Sequence, residues 1–90
     1  MAHLKDTQNL VGRVRRIAGQ IGAVERGLKT DVGCSEILQL VAAVRGAVNG
    51  LMDEIIAEHL NEHVAKAGLS DADRLEAAKE LIAVIRRYAK

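Results

Sequence analysis

Two apolar seams constrain this chain more than any other feature. Leu10, Val14, Ile17, Ile21, Val24 and Leu28 follow one another in steps of 4, 3, 4, 3 and 4 residues, and Ile37, Val41, Val44, Val48, Leu51 and Ile55 repeat the same steps. That spacing lines one face of an α-helix and does not suit a strand, whose side chains alternate. The 90 residues contain no proline, so nothing forces a break within either seam. The pattern predicts a first helix over 5–28 and a second over 33–66, the latter roughly 50 Å long at 1.5 Å per residue. A helix of that length projects beyond any core that a chain this short can build. Between them, Lys29-Thr30-Asp31-Val32-Gly33 reads as a turn, with Asp31 placed to cap the helix that follows. Gly12, Gly19, Gly22 and Gly27 each cost the first helix around 1 kcal/mol relative to Ala, which close helix packing is expected to offset.

A third helix is marked by its start. Gly68 closes the second helix, Ser70 offers a cap, and Asp71 and Asp73 suit a first turn. Leu75, Ala78, Leu81, Ile82 and Ile85 give it an apolar face, and it ends in Arg86, Arg87 and Lys90. The predicted fold is therefore all-α: an antiparallel helix hairpin plus a short third helix, forming one domain over 1–90. A chain of this length has a marginal core on its own. The seams call for partner helices, so a dimer of hairpins, and from it a tetramer, is expected.

Composition removes several alternatives. Cys34 is the only cysteine, so an intrachain disulfide framework is excluded. Phe and Trp are absent and Tyr88 is the only aromatic, which argues against a reader of single-stranded nucleic acid by base stacking. No apolar run approaches a membrane span and no signal-peptide pattern opens the chain, so a cytoplasmic protein is expected. The net charge of +1 conceals a segregation. Residues 1–30 carry Lys5, Arg13, Arg15, Arg16, Arg26 and Lys29 against Asp6 and Glu25, a net +4, whereas residues 51–80 carry a net −5. The basic stretch Lys5, Arg13, Arg15 and Arg16 is either a solvated face or a stripe that contacts DNA phosphates. No helix-turn-helix is evident, so readout by a short recognition helix is not expected.

The soft and borderline metal ligands are His3, Cys34, His59 and His63. His59 and His63 stand at i and i+4, one turn apart on one helix face, the spacing that lets two imidazoles share a transition metal. Two solvated surface histidines would show the same spacing. Cys34 opens the second helix, where the helix dipole favours thiolate. A straight helix places it about 37 Å from His59 in its own chain. A second copy packed antiparallel brings its Cys34 toward these histidines, and the hairpin brings His3 to the same end. An enzyme is not expected: a helical chain of 90 residues offers little substrate cleft for a Cys/His pair.

The run Arg13-Val14-Arg15-Arg16-Ile17-Ala18-Gly19-Gln20 resembles the first helix of the CsoR/RcnR family of metal- and stress-sensing bacterial repressors. Cys34, Ile37-Leu38-Gln39, the stretch Ala42 to Met52, and His59-Leu60-Asn61-Glu62-His63 continue the resemblance in register. It implies a helical tetramer that binds double-stranded operator DNA and releases it when a sensory site is filled. The family's four-position sensory pattern falls here on His3, Cys34, His59 and His63. His63 stands where copper(I) sensors of the family carry Cys, and His59 where persulfide sensors do. The set His, Cys, His, His is that of the nickel/cobalt branch, and one thiolate among nitrogen donors suits Ni(II) and Co(II), with Zn(II) also accommodated. The implied function is a repressor responsive to nickel or cobalt that controls metal efflux. The first helix is closer to the formaldehyde-sensing branch, which leaves an aldehyde-responsive repressor with Cys34 as nucleophile as one alternative. A structural oligomerisation module is the other.

Overall fold

The computed structural model describes Leu4 and residues 7–88. Three α-helices are formed: α1 over Thr7–Lys29, α2 over Cys34–Leu60 and α3 over Asp71–Tyr88. A π-helical segment, Asn61–Ala65, follows α2 directly. No strand occurs among the described residues, as the seams require. The chain divides into two compact units, one of Thr7–Asp53 and one built on Glu54–Lys90, and α2 contributes to both.

The first unit is the hairpin. Its turn is set by how α1 stops. Val32 N–H donates to the Gly27 carbonyl at 3.1 Å, and Asp31 between them has φ of 57°. This is a Schellman-type ending with Asp31 in the left-handed position. The Thr30 hydroxyl also donates to the Arg26 carbonyl, at 2.8 Å. Asp31 thus ends α1 and does not cap α2. Gly33 takes that role, its carbonyl accepting from Ile37 N–H at 3.1 Å. Gly27 is buried, and a Cβ there would lie 2.9 Å from Ile37 Cδ1 and 3.2 Å from Val32 Cγ2. Close packing therefore explains this glycine. It does not explain Gly12 or Gly19, around which no atom lies within 4 Å of a built Cβ. At the other end of the hairpin, Arg13 Nη1 lies 3.5 Å from a Cβ built on Gly50.

The seam of α1 is split lengthwise. Ile17 is only 8% exposed, and Leu10 and Val24 on the same edge are half-buried. Val14, Ile21 and Leu28 on the other edge are 50%, 53% and 64% exposed. In α2, Ile37, Val44 and Leu51 are half-buried while Val41 and Val48 are exposed. Each helix spends one edge of its stripe inside the hairpin and leaves the other to solvent.

The second unit packs α3 by one face. Ala77 and Leu81 are buried there. Ser70 caps α3 as its sequence position predicts, its Oγ accepting from Asp73 N–H at 3.1 Å. Arg74 Nη2 donates to the Lys66 and Leu69 carbonyls, at 3.3 Å each, and so holds the connection into α3. Gly68 takes the left-handed turn position at φ of 88°.

The predicted continuous second helix to 66 is corrected: α-helical geometry ends at Leu60 and the wider π turn takes over. The apolar spacing changes at the same place. After Ile55 the 4, 3 alternation gives way to Ile56, Leu60 and Val64, in steps of four. Four residues of α-helix overshoot a full turn by about 40°. A π turn, closed by i→i+5 bonds, keeps such residues nearer one line. The first helix ends at Lys29, one residue beyond expectation, and its expected start at 5 lies outside the described residues.

Candidate functional site

In the second unit, His59 on the last turn of α2 and His63 within the π segment are both half-buried. Their ring centroids lie 5.3 Å apart with planes tilted by 53°. His59 Nε2 lies 3.0 Å from the Ala77 carbonyl oxygen on α3. A carbonyl only accepts, so Nε2 carries the proton and donates. In the neutral ring this leaves the Nδ1 lone pair as the site for a metal. A metal-binding imidazole is commonly oriented this way, by its other N–H donating to a backbone carbonyl. The bond therefore fits His59 for ligation and ties its ring to the buried face of α3.

Cys34 is a free, exposed thiol at the first position of α2, in the hairpin unit. Among the described residues no group of three His, Cys, Asp or Glu side chains is gathered to hold a metal. Of the four predicted ligands, the structure brings together His59 and His63. His3 lies outside the described residues, as does Lys5 of the predicted basic stripe.

The remaining basic residues lie on α1. Arg15 and Arg16 are exposed and Arg13 is half-buried. Arg13 and Arg16 join Ile17 and Gln20, with Gly46, Ala47 and Gly50 of α2, around a cleft of about 240 Å³. Arg15 is not part of its lining. The Oε1 of Gln20 is enclosed and finds no hydrogen-bond donor among the described residues. Sequence reasoning singled out the arginines but not the cleft. Its signal was present: Arg13, Arg16 and Gln20 stand 3 and 4 apart on one helix face, and Gly46 and Gly50 stand 4 apart on the other helix. The Ala77 carbonyl, a backbone group, left no such signal.

A helical chain with an oriented imidazole pair at one end and clustered arginines on a hairpin has the parts of a ligand-responsive nucleic-acid binder rather than of a catalyst. The chain belongs to the metal-sensitive transcriptional repressor family, whose model matches residues 6–87. Its members are repressors, not enzymes, and this decides against a purely structural oligomerisation module.

The chain is 41% identical over 91 residues to the transcriptional repressor RcnR of Salmonella arizonae (strain ATCC BAA-731 / CDC346-86 / RSK2980), covering 100% of both proteins. It is 45% identical, again with 100% coverage of both, to a Serratia marcescens protein named for its place in the bioA 5' region. Among solved structures it resembles a glutamate-to-histidine variant of the Formaldehyde-Responsive Regulator FrmR from Salmonella enterica serovar Typhimurium. There the TM-score is 0.85 and identity 41%, over 92% of this chain and 93% of that one. The expected family and the all-helical fold are thereby established. Among the described residues no helix is long and apolar enough to cross a membrane.

Proposed function

We propose that this repressor holds operator DNA as an apo-oligomer in the cytoplasm and releases it on binding Ni(II) or Co(II), so controlling metal efflux. The observation that carries the reading is the His59–His63 pair, with His59 Nε2 fixed on the Ala77 carbonyl. That bond leaves Nδ1 to bind metal and connects any change at the ring to α3. In this reading, His59 and His63 of one protomer combine with Cys34 of the partner subunit, and His3 completes the set. A site with one thiolate among nitrogen donors suits Ni(II) and Co(II), and Zn(II) is a competitor.

A shared site needs an oligomer. The exposed edges of both seams support one, because burying each Val, Leu or Ile side chain there is worth roughly 1.5–3 kcal/mol. The basic residues Lys5, Arg13, Arg15 and Arg16 contact the DNA backbone. Metal lowers DNA affinity only insofar as it binds the released conformation better than the DNA-bound one.

A second reading has its own support. Cys34 is an exposed free thiol, and one relative of known structure is a formaldehyde-responsive regulator. In that reading Cys34 is the nucleophile and the aldehyde is the effector.

One experiment separates the two. The reduced protein is titrated with Ni(II), Co(II) and formaldehyde in turn while DNA binding and near-ultraviolet absorption are followed. The metal reading expects a thiolate charge-transfer band that Cys34→Ser abolishes, and loss of DNA binding with metal. Mixed Cys34→Ala and His63→Ala protomers should recover one intact site per heterodimer. Release by formaldehyde alone, with nickel and cobalt inert, transfers the function to the second reading.

A further inference from the structure

The cleft between α1 and α2 is not accounted for by packing within the hairpin. Among the described residues its lining includes two guanidinium groups, Arg13 and Arg16. Its α2 side is made of Gly46, Ala47 and Gly50, which contribute almost no side chain. A Cβ built on Gly46 meets nothing within 4 Å, and one on Gly50 meets only Arg13 Nη1, at 3.5 Å. The fold of the protomer therefore does not require glycine at Gly46, although glycine inside a helix is the poorer choice by around 1 kcal/mol. Gln20 adds an enclosed amide oxygen without a donor. Buried polar groups in native proteins are nearly always paired, so this acceptor calls for a donor within the cleft, which a water brought in with a bound group supplies.

The dimensions narrow the occupant. The cleft, at about 240 Å³, falls below the ~300 Å³ at which pockets for drug-sized molecules begin. It is several times the ~30 Å³ share of one water in the liquid. Two guanidinium groups offer N–H donors in a planar fork that matches phosphate oxygens. A small anionic group with its first water shell is the fitting chemistry, and a transcriptional repressor meets such groups on every nucleotide.

We propose that this cleft seats one backbone phosphate of duplex DNA in each protomer, with Gly46 and Gly50 kept free of side chains to admit it. The inference rests on the reading of the chain as a DNA-binding repressor whose arginines contact phosphates. It adds that the phosphate enters between two helices rather than lying on the outer face of α1. Arg13 and Arg16 neutralise it from one wall, the bare backbone of α2 permits close approach, and a water of the phosphate's shell donates to Gln20 Oε1. Phosphate binding of this kind fixes register on the duplex without reading bases.

The test uses the full chain and a random-sequence duplex, with binding followed by fluorescence anisotropy across a chloride series. Gly46→Leu fills the cleft without touching a charge, and Gly46→Ala adds one methyl to open space. Both are expected to leave the unfolding midpoint unchanged or raised. Gly46→Leu is expected to weaken DNA binding about tenfold near 0.1 M salt and to flatten the log–log salt slope by about 0.9 for each phosphate no longer neutralised. Gly46→Ala should move both in the same direction by less. Arg13→Ala/Arg16→Ala is run alongside.

Weaker binding by the arginine variant together with unchanged affinity and slope for both Gly46 variants overturns the cleft and leaves the repressor reading standing. Unchanged binding in all three overturns both. Calorimetric titration with inorganic phosphate at fixed ionic strength supplies the last arm. Binding of free phosphate that Gly46→Leu abolishes, with DNA affinity intact, assigns the cleft to a free anion and overturns the proposal.

Discussion

The hairpin Thr7–Asp53 and the unit built on Glu54–Lys90 are helical pieces of one small chain, yet they end their helices differently and carry different chemistry. In the hairpin, α1 stops in a Schellman-type turn on Asp31, and the walls of the helix pair hold arginines around bare backbone. In the second unit, α2 loosens into a π turn before Gly68 and Ser70 start α3, and that widened turn holds His63 beside His59. The regular region is suited to presenting fixed charge to DNA. The irregular one is suited to placing ligand atoms. A sensor needs both, and in the proposed reading the departure from ideal helix falls where the small ligand is to be held.

The largest expected effect tests whether the two chemistries are separable. Arg13→Ala/Arg16→Ala should weaken DNA binding about a hundredfold near 0.1 M salt, because two guanidinium groups per protomer no longer neutralise phosphates. Ni(II) or Co(II) titration of the same variant should be unchanged. A parallel loss of metal binding would show that the hairpin arginines shape the ligand site, and the division of labour would fail.

The legibility of the sequence follows the same division. The paired 4, 3 seams revealed both hairpin helices, since a regular helix repeats its pattern over many residues. The i, i+4 spacing found His59 and His63, and the side chain at Ser70 announced its own cap. Which edge of each seam would be buried was not readable: Ile17 and Ile21 are chemically identical, and only three-dimensional packing tells them apart. Asp31 suits the start of α2 as well as the end of α1, and the position of Gly33 decided between them. The π turn is a change of hydrogen-bond register, with a trace in sequence no stronger than the shift to steps of four. The cleft required two helices to be aligned before Gln20, Gly46 and Gly50 met the arginines.

Next in size are the effects on folding, measured by urea unfolding at one fixed protomer concentration, since association shifts apparent stability. Ser70→Ala removes the hydroxyl that accepts from Asp73 N–H and should cost about 1 kcal/mol. The two glycines of α1 sharpen the comparison within one helix. Gly19→Ala should stabilise by up to about 1 kcal/mol, because its new methyl enters open space. Gly27→Ala should lose that gain and destabilise by about 1 kcal/mol, because Ile37 and Val32 must yield to the new methyl. Destabilisation by Gly19→Ala would place another protomer's helix against that face.

The smallest effect concerns the turn that ends α1. Asp31 holds φ of 57°, where a Cβ is strained and glycine is not. Its hydrogen-bonding role is taken by the backbone, through Val32 N–H on the Gly27 carbonyl. Asp31 is exposed, so removing its side chain disturbs no buried packing. Removing a carboxylate next to the negative end of the α1 dipole adds a few tenths of a kcal/mol at low ionic strength. The entropy that a glycine costs in the unfolded chain works against both gains. Asp31→Gly should therefore stabilise the hairpin by roughly 0.5 kcal/mol, with DNA and metal binding unchanged. A loss of stability would mean that the Asp31 carboxylate is used by the folded assembly, and the description of this turn as a backbone-held ending would have to be abandoned.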